Sequence, residues 1–403
     1  MSDDLPGKDI SLWIDTTERT NYPSFDGQLT ECDVAIVGGG ITGLLCAWHL
    51  QEAGLQTVVL EKSRLVEWTT GSTTAKLTSQ HYLVYDYLVN TQGEDTARAY
   101  AQANEDGIND IEKLSNQLGI NCDFSRRDAF VYTQNEETVD DIKKEVRVTQ
   151  KIGLPSSYET TTDLPFDVTA AIKFSNQAQF HPRKFLLGVA GKLENGKTHI
   201  FEQTEATDIS PGSPHVLRTK RGDIKAKYIV EASQYPFWGS ELFDKATWTK
   251  MSYALGVRLK SDSRYPEGMY ITTDQPMRTI RSHPYKDGKL LLFGGESHEY
   301  DEPSYNPPEH FINLVKDLHE KFAAQEIVYR WLAGDIMPHD RMPYIGEHPG
   351  APGVYIITGY RAWGLAWAMS AAQVIRDKIL GREVGWAKPF GLERLIRSDI
   401  NSK

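Results

Sequence analysis

The sequence predicts an α/β chain, α+β overall: a Rossmann-like nucleotide-binding domain interrupted by a second, mostly antiparallel β-sheet domain. Three observations predict it. A strand, a glycine-rich turn, a helix and a second strand follow one another between Asp33 and Glu61. Another strand–glycine–helix passage, around Gly359 to Leu365, lies near the C-terminal end. Between them, from Trp238 to about Glu299, runs of alternating apolar and polar residues mark strands with one covered face.

The first unit is the most informative. Asp33 to Val37 is an apolar run of strand length, and Gly38, Gly40 and Gly43 then give G-x-G-x-x-G. Gly38 suits the tight turn, Gly40 lets backbone approach a pyrophosphate, and Gly43 allows close helix–strand packing. Ile41, Leu44, Leu45 and Trp48 recur on one helical face, and Thr42 stands in the first turn, whose free N–H groups favour phosphate. The strand "QTVVLE" ends in Glu61, placed to accept hydrogen bonds from an adenosine ribose, with Lys62 next to it. The order of these parts predicts a bound dinucleotide. The motif alone does not separate NAD from FAD, whereas an acid at Glu61 disfavours the 2′-phosphate of NADP.

The segment "EWTTGSTTAKLTSQHY" follows almost at once and is as polar as its predecessor is apolar. It reads either as a solvated loop or as a loop folded over a cofactor. In the second reading Gly71, Ser72, Thr73, Thr74 and Ala75 allow close approach and offer hydrogen bonds, and Lys76 supplies the one central cation.

The remaining elements fall in order. Residues 94–119 read as a helix weakened by Gly107, 122–134 as a strand, and 136–153 as a charged helix. The Pro/Thr-rich 154–170 reads as a crossing segment. A strand then leads into a helix with Pro182 in its first turn, which makes His181 a helix start rather than a site. Three strand-like pieces follow before Trp238, and a helix near 308–324 precedes the C-terminal passage. The expected domains are 30–85, 166–237 and 330–403 for the nucleotide and 86–165 with 238–329 for the substrate, with 1–29 a lead.

Composition narrows the classes. The chain of 403 residues can bury a large core, and its 40% hydrophobic and 25% charged residues are ordinary for a soluble protein. A net charge of -11 counts against nucleic acid. The acidic start "MSDDLPGKDI" lacks an apolar signal region, and "LAWAMSAAQVI" is too short to span a bilayer. Cys32, Cys46 and Cys122 are few, odd in number and far apart, so neither a disulfide scaffold nor a metal site is expected. The expected location is the cytoplasm.

"VGGGITGLLCAWHLQEAGLQTVVLEK" and "DRMPYIGEHPGAPGVYIITGYRAWGL" resemble the N- and C-terminal motifs of the D-amino-acid oxidase-like family of FAD-dependent oxidoreductases. "TTGSTTAKLTSQH" is similar to a variant in the branch that often carries a C-terminal Rieske domain. The resemblance implies FAD as cofactor, with Gly359, Trp363, Gly364 and Leu365 along the isoalloxazine. It also runs the polar loop beneath the ring, where Lys76 would stabilise charge on the reduced flavin. The chain departs from that branch, because no cysteine follows Cys122 to supply Rieske ligands. Electrons are therefore expected to leave to O₂ or to a separate acceptor protein.

Oxidation of a C–N bond by hydride transfer to flavin N5 needs no triad, because the cofactor carries the hard chemistry. The candidates at the reacting end are positional. Lys76 and His81 border the expected ring, Arg281 is read as a clamp on a substrate carboxylate, and Trp363 as an aromatic contact at the final turn. Each has an ordinary alternative: a surface lysine, a hydrogen-bonded core histidine, an outward strand arginine, a core tryptophan. Tyr253, Arg258 and Tyr270 are candidate pocket walls. The expected substrate is a small amine or amino acid. An α-hydroxy acid, a non-catalytic electron-transfer role, and an NAD-dependent dehydrogenase are the competing readings.

Overall fold

The computed structural model describes residues 5–301, 303 and 305–396, and among them two large sheets share one interface. The first has eight strands. Its parallel centre runs Ala351–Thr358, Gly222–Glu231, Glu31–Val37, Thr57–Leu60, Thr198–Phe201. Both faces of this centre are covered, which is why its strands read as unbroken apolar runs: Val34, Ile36, Val58, Val59, Ile229 and Val230 are all fully buried.

The helix Ile41–Glu52 departs from expectation. Ala47, Cys46 and Leu50 are buried along with the expected Leu44 and Leu45, so the helix has no solvent face worth the name. It is enclosed by the first sheet, the helix Pro182–Leu193 and the helix Gly364–Ile379. Burial on all sides also removes the ordinary penalty for an apolar helix of this length.

The second sheet has ten strands and is antiparallel at its centre, where Ala324–Pro338, Thr247–Leu259, Gly288–Glu299 and Arg278–Tyr285 lie side by side. Met269–Thr272 joins Ser125–Thr133 in parallel, so the sheet is mixed. The helix Pro307–Lys321 packs on its outer face through Phe311, Leu314 and Leu318.

Sheet membership does not follow the expected divisions. Ala170–Gln179 and all of Ala324–Pro338 belong to the second sheet, whereas the expected divisions place 166–237 and 330–403 on the nucleotide side. The expected crossing segment contributes its own strand, Ser156–Glu159. Within the expected lead 1–29, the described residues from Leu5 onward do structural work: Lys8–Asp9 pairs with Tyr329 and Arg330, and Trp13, in the helix Leu12–Asp15, is fully buried.

Gly107 has a packing reason. The helix Glu94–Gln117 runs through it without a break and crosses the helix Gly364–Ile379, where an added Cβ would lie 2.1 Å from the Ala366 carbonyl oxygen. Only glycine allows that approach. No described helix is long and apolar enough to cross a membrane.

Candidate active site

Two cavities meet over the first helix. One, of about 230 Å³, is lined by Gly38, Gly40, Glu61, Lys62, Trp68 and Tyr235, among others. The second, of about 210 Å³, lies between the sheets and is lined by Ile41, Thr42, Ser72, Thr73, Thr74, Lys76, Gly359, Trp363, Gly364 and Leu365, with others. Both include Gly40, Thr69, Thr70, Ala232 and Gln234, so they form one passage that turns at the helix N-terminus.

The glycines divide by what they serve. A Cβ on Gly43 would lie 1.9 Å from the Gly38 carbonyl oxygen, and one on Gly71 would lie 2.2 Å from the Val66 carbonyl oxygen. These positions, with the left-handed and buried Ala75, shape the backbone without lining either cavity. Gly40 is different. A Cβ there meets only Thr70 Oγ1, at 3.1 Å, so the protein itself leaves that position open toward the cavity. The Ile41 N–H donates to Thr70 Oγ1 at 3.2 Å, and the other first-turn N–H groups, with no side chain at Gly40 to cover them, fit a phosphate.

Glu61 is buried at the end of its strand, with Oε2 accepting from the Gly39 N–H at 2.8 Å and Oε1 from the Ser63 N–H at 2.8 Å. Burial raises its pKa against those two bonds. Each oxygen keeps a lone pair for a ribose hydroxyl. Lys62 is exposed and lies over the Trp68 ring at 4.5 Å.

The polar loop is held from outside by its own carbonyls. Gly71 O accepts from Ser11 Oγ, Ser72 O from Trp331 Nε1 at 2.8 Å, Thr73 O from Trp13 Nε1 at 2.6 Å, and Thr74 O from Arg281 Nε. Four consecutive acceptors are thus satisfied by four residues from three distant segments. The loop is a fixed cradle rather than a solvated connection, and two of its clamps, Ser11 and Trp13, come from the N-terminal residues.

This geometry corrects two expectations. Arg281 lines neither cavity; it is fully buried, bonded also to Gln179 Oε1 at 2.7 Å, and stacked over Trp13 at 5.4 Å. It clamps the loop instead of a substrate. His81 is equally buried and lines neither cavity. Its Nε2–H donates to Thr78 O at 2.8 Å, so Nδ1 accepts from the Tyr100 hydroxyl at 2.6 Å. Burial pushes its pKa down to about 3, which keeps the ring neutral. The ring stacks on Trp363 at 4.7 Å and so supports the cavity from behind. We expect His81→Phe to keep that stacking but strand Tyr100 Oη and Thr78 O, lowering stability by about 1–3 kcal/mol. Chemical denaturation would measure the loss, and the pH dependence of flavin reduction should keep its shape.

Lys76 is buried rather than a surface lysine. Its Nζ donates to Tyr270 O at 2.8 Å and to Thr279 Oγ1, on the second sheet. Burial, reinforced by the charge of Arg281, pushes its pKa down to about 7. Of the expected walls, Tyr253 lines the cavity, Tyr270 contributes only its carbonyl to Lys76, and Arg258 pairs with Glu326 at the edge.

The final turn is strained. Arg361 and Ala362 are consecutive non-glycine residues at φ 56° and 69°, a conformation that persists only where its surroundings impose it. The turn is pinned by Arg361 N–H to Ile336 O at 3.2 Å and Trp363 N–H to Tyr360 O at 3.0 Å. It directs Arg361 and the first residues of the helix Gly364–Ile379 at the cavity. Thr69, Thr70 and Tyr360, within the quoted motifs, also line it, as do Gln234, Lys250 and Asp335, which carry no motif. Their only sequence signal is the strand alternation that places Lys250 and Asp335 on one sheet face.

A mixed two-sheet fold with this passage defines a dinucleotide-binding protein. The chain belongs to the FAD dependent oxidoreductase family (DAO), whose family model matches residues 33–378. FAD is its cofactor. It is 32% identical over 376 residues, 93% of this chain and 73% of the relative, to the putative Rieske 2Fe-2S iron-sulfur protein YhfW of Bacillus subtilis (strain 168). It is 25% identical to the gamma-glutamylputrescine oxidoreductase of Escherichia coli (strain K12), covering 89% of this chain and 87% of that protein. Its fold is similar to that of glycine oxidase from Geobacillus kaustophilus, with a TM-score of 0.76 at 19% identity, over 90% of this chain and 98% of that one. The protein is an FAD-dependent oxidoreductase related to amine and amino-acid oxidases.

The passage fits FAD. Glu61 would receive the adenosine end, Gly40 and the helix N-terminus the pyrophosphate, and the clamped loop and strained final turn the isoalloxazine end.

Proposed function

We propose that this protein oxidises the C–N bond of a small amine or amino acid and passes the electrons to O₂ or to a separate acceptor. The observation that carries the reading is the far wall of the 210 Å³ cavity, one face of the second sheet, where Asp335 lines the same space as Lys76. An acidic group there gives an ammonium a charge-assisted acceptor, a match that the neutral hydroxyl of an α-hydroxy acid lacks. The names of the amine- and amino-acid-oxidising relatives point the same way.

Bound FAD supplies the two-electron chemistry, with hydride leaving the carbon next to a neutral amine. The chain's own residues must orient that amine, exclude water and take up its proton. Lys76 is suited to the last task. As a neutral amine it donates its two N–H groups to Tyr270 O and Thr279 Oγ1 and keeps a lone pair. Once it has taken the ammonium proton it is a cation, and it then favours the negative charge of the reduced ring. Trp331, Ile271, Met277 and Trp363 give the space apolar walls.

Anaerobic bleaching of the purified yellow protein by a panel of amines, amino acids and α-hydroxy acids tests the reading. Bleaching by α-hydroxy acids alone would overturn it. A second prediction concerns nicotinamides. No other complete G-x-G-x-x-G unit occurs between residues 80 and 330. We expect neither NADH nor NADPH to reduce the flavin at a useful rate in stopped flow, and rapid stoichiometric reduction by either would point to a reductase.

A further inference from the structure

The second sheet presents an alternating row to the cavity: Lys250, Ser252 and Ala254 on one strand and Trp331, Ala333 and Asp335 on its neighbour. The register pairs Lys250 directly with Asp335, Ser252 with Ala333 and Ala254 with Trp331. Residues of one parity share a sheet face, so both charged side chains rise from the same face into the same space. Directly opposed antiparallel residues hold their Cβ atoms roughly 4.5–5.5 Å apart.

Neither side chain is satisfied by the protein. Among the described residues no hydrogen bond or salt bridge engages the Lys250 ammonium or the Asp335 carboxylate, although each feels the other's charge. Burial disfavours the charged form of both, lowering the pKa of Lys250 and raising that of Asp335. A third group, Arg361, lines the same cavity, and its buried Nη1 has no hydrogen-bond partner. Two cationic groups and one acid, unpaired and open to one small space, form an arrangement that a ligand of matching charge would complete. Beyond them the row holds one hydroxyl, Ser252, which is bonded to Ser297 Oγ at 3.0 Å, and otherwise Ala254, Ala333 and Trp331.

We propose that Lys250 and Asp335 are the specificity-determining pair for a zwitterionic substrate, with Asp335 receiving the amine and Lys250, aided by Arg361, receiving a carboxylate. The inference rests on the C–N oxidation reading and narrows it to amino acids over simple amines. An amine lacking the carboxylate leaves Lys250 unpaired. A hydroxy acid offers Asp335 only a neutral hydroxyl in place of an ammonium, without the charge assistance. Sites built around such groups discriminate strongly against analogues that lack one of them.

The test compares matched pairs that differ only in the carboxylate: glycine with methylamine, sarcosine with dimethylamine, proline with pyrrolidine. Anaerobic flavin reduction gives kcat/KM for each, and titration of the oxidised flavin spectrum with acetate gives binding without turnover. The expected result is at least a tenfold preference for the amino acid in any pair that reacts. Lys250→Met should abolish that preference chiefly through KM and weaken acetate at least tenfold, while Lys250→Arg restores both. Asp335→Asn should raise KM for amino acids tenfold or more and leave acetate as tight as before or tighter. FAD content and thermal unfolding establish that each variant is folded.

Equal kcat/KM within every reacting pair, or a Lys250→Met protein that keeps both its preference and its acetate affinity, would overturn the pair's role while leaving C–N oxidation intact. Absence of reduction by every amine and amino acid, with reduction by α-hydroxy acids, would instead defeat the reading beneath it.

Discussion

Gly40→Val is expected to purify folded and colourless. The backbone at Gly40 sits at φ -86° and ψ -169°, an extended conformation open to any residue. Its Cβ meets only Thr70 Oγ1 at 3.1 Å, a side-chain hydroxyl that accepts from the Ile41 N–H at 3.2 Å and need give by only a few tenths of an ångström. The protein can therefore hold valine there at the small cost of a poor helix cap, about 1 kcal/mol. The dinucleotide cannot. The branched side chain would stand where a phosphate must approach the first helical N–H groups, and those groups hold the cofactor's charge. Loss of the flavin absorbance, with circular dichroism and a cooperative melt retained, is the expected outcome. Normal FAD content in folded Gly40→Val would sink the assignment of this turn to the pyrophosphate. Gly43→Val is the informative contrast, because a Cβ 1.9 Å from the Gly38 carbonyl must break the turn itself.

What was legible in the sequence and what was not separates along a physical line. Local geometry writes itself into local sequence. The strand, the three glycines, the helix start at Ile41 and Glu61 are contiguous, and each is needed where it stands. The final turn is legible for the same reason, though only its glycines are. Arg361 and Ala362 adopt left-handed conformations that their residue types give no hint of. Long-range placement is another matter. Arg281 and His81 are residue types that catalysis favours, yet burial and hydrogen bonds from distant segments turn both into supports. Trp13 lies in what reads as a lead, and its partner is 60 residues away. Lys250 and Asp335 are 85 positions apart and become neighbours only through strand register. No window of sequence holds that information, because the register is decided by the whole antiparallel sheet.

Lys76→Met carries the second large effect, because the lysine is costly where it sits. Unfolded, its ammonium titrates near 10.5, and folded, burial and Arg281 bring it to about 7. Between these values the unfolded chain binds the extra proton, so stability rises with pH across that window. The cost is absent above pH 10.5, grows as pH falls, and is complete below about 7, where it reaches several kcal/mol. Methionine of similar length escapes it, but leaves Tyr270 O and Thr279 Oγ1 without their donor, an opposing cost of about 1–3 kcal/mol for a buried polar group. The substituted protein, stripped of FAD, should therefore melt at or above the temperature of the parent at pH 7, and its advantage should shrink toward pH 10. Its chemistry should move the other way. Without a group to accept the ammonium proton and then face the reduced ring as a cation, substrate reduction should slow by roughly ten- to a hundredfold, the value of one such charge interaction of about 1–3 kcal/mol. The flavin potential should fall with it. In the parent, reduction should weaken as pH drops through about 7, since protonated Lys76 has no lone pair to offer, and that inflection should vanish in Lys76→Met. A variant that binds FAD yet keeps the parent's potential, rate and pH profile would show that Lys76 only braces the second sheet against the loop.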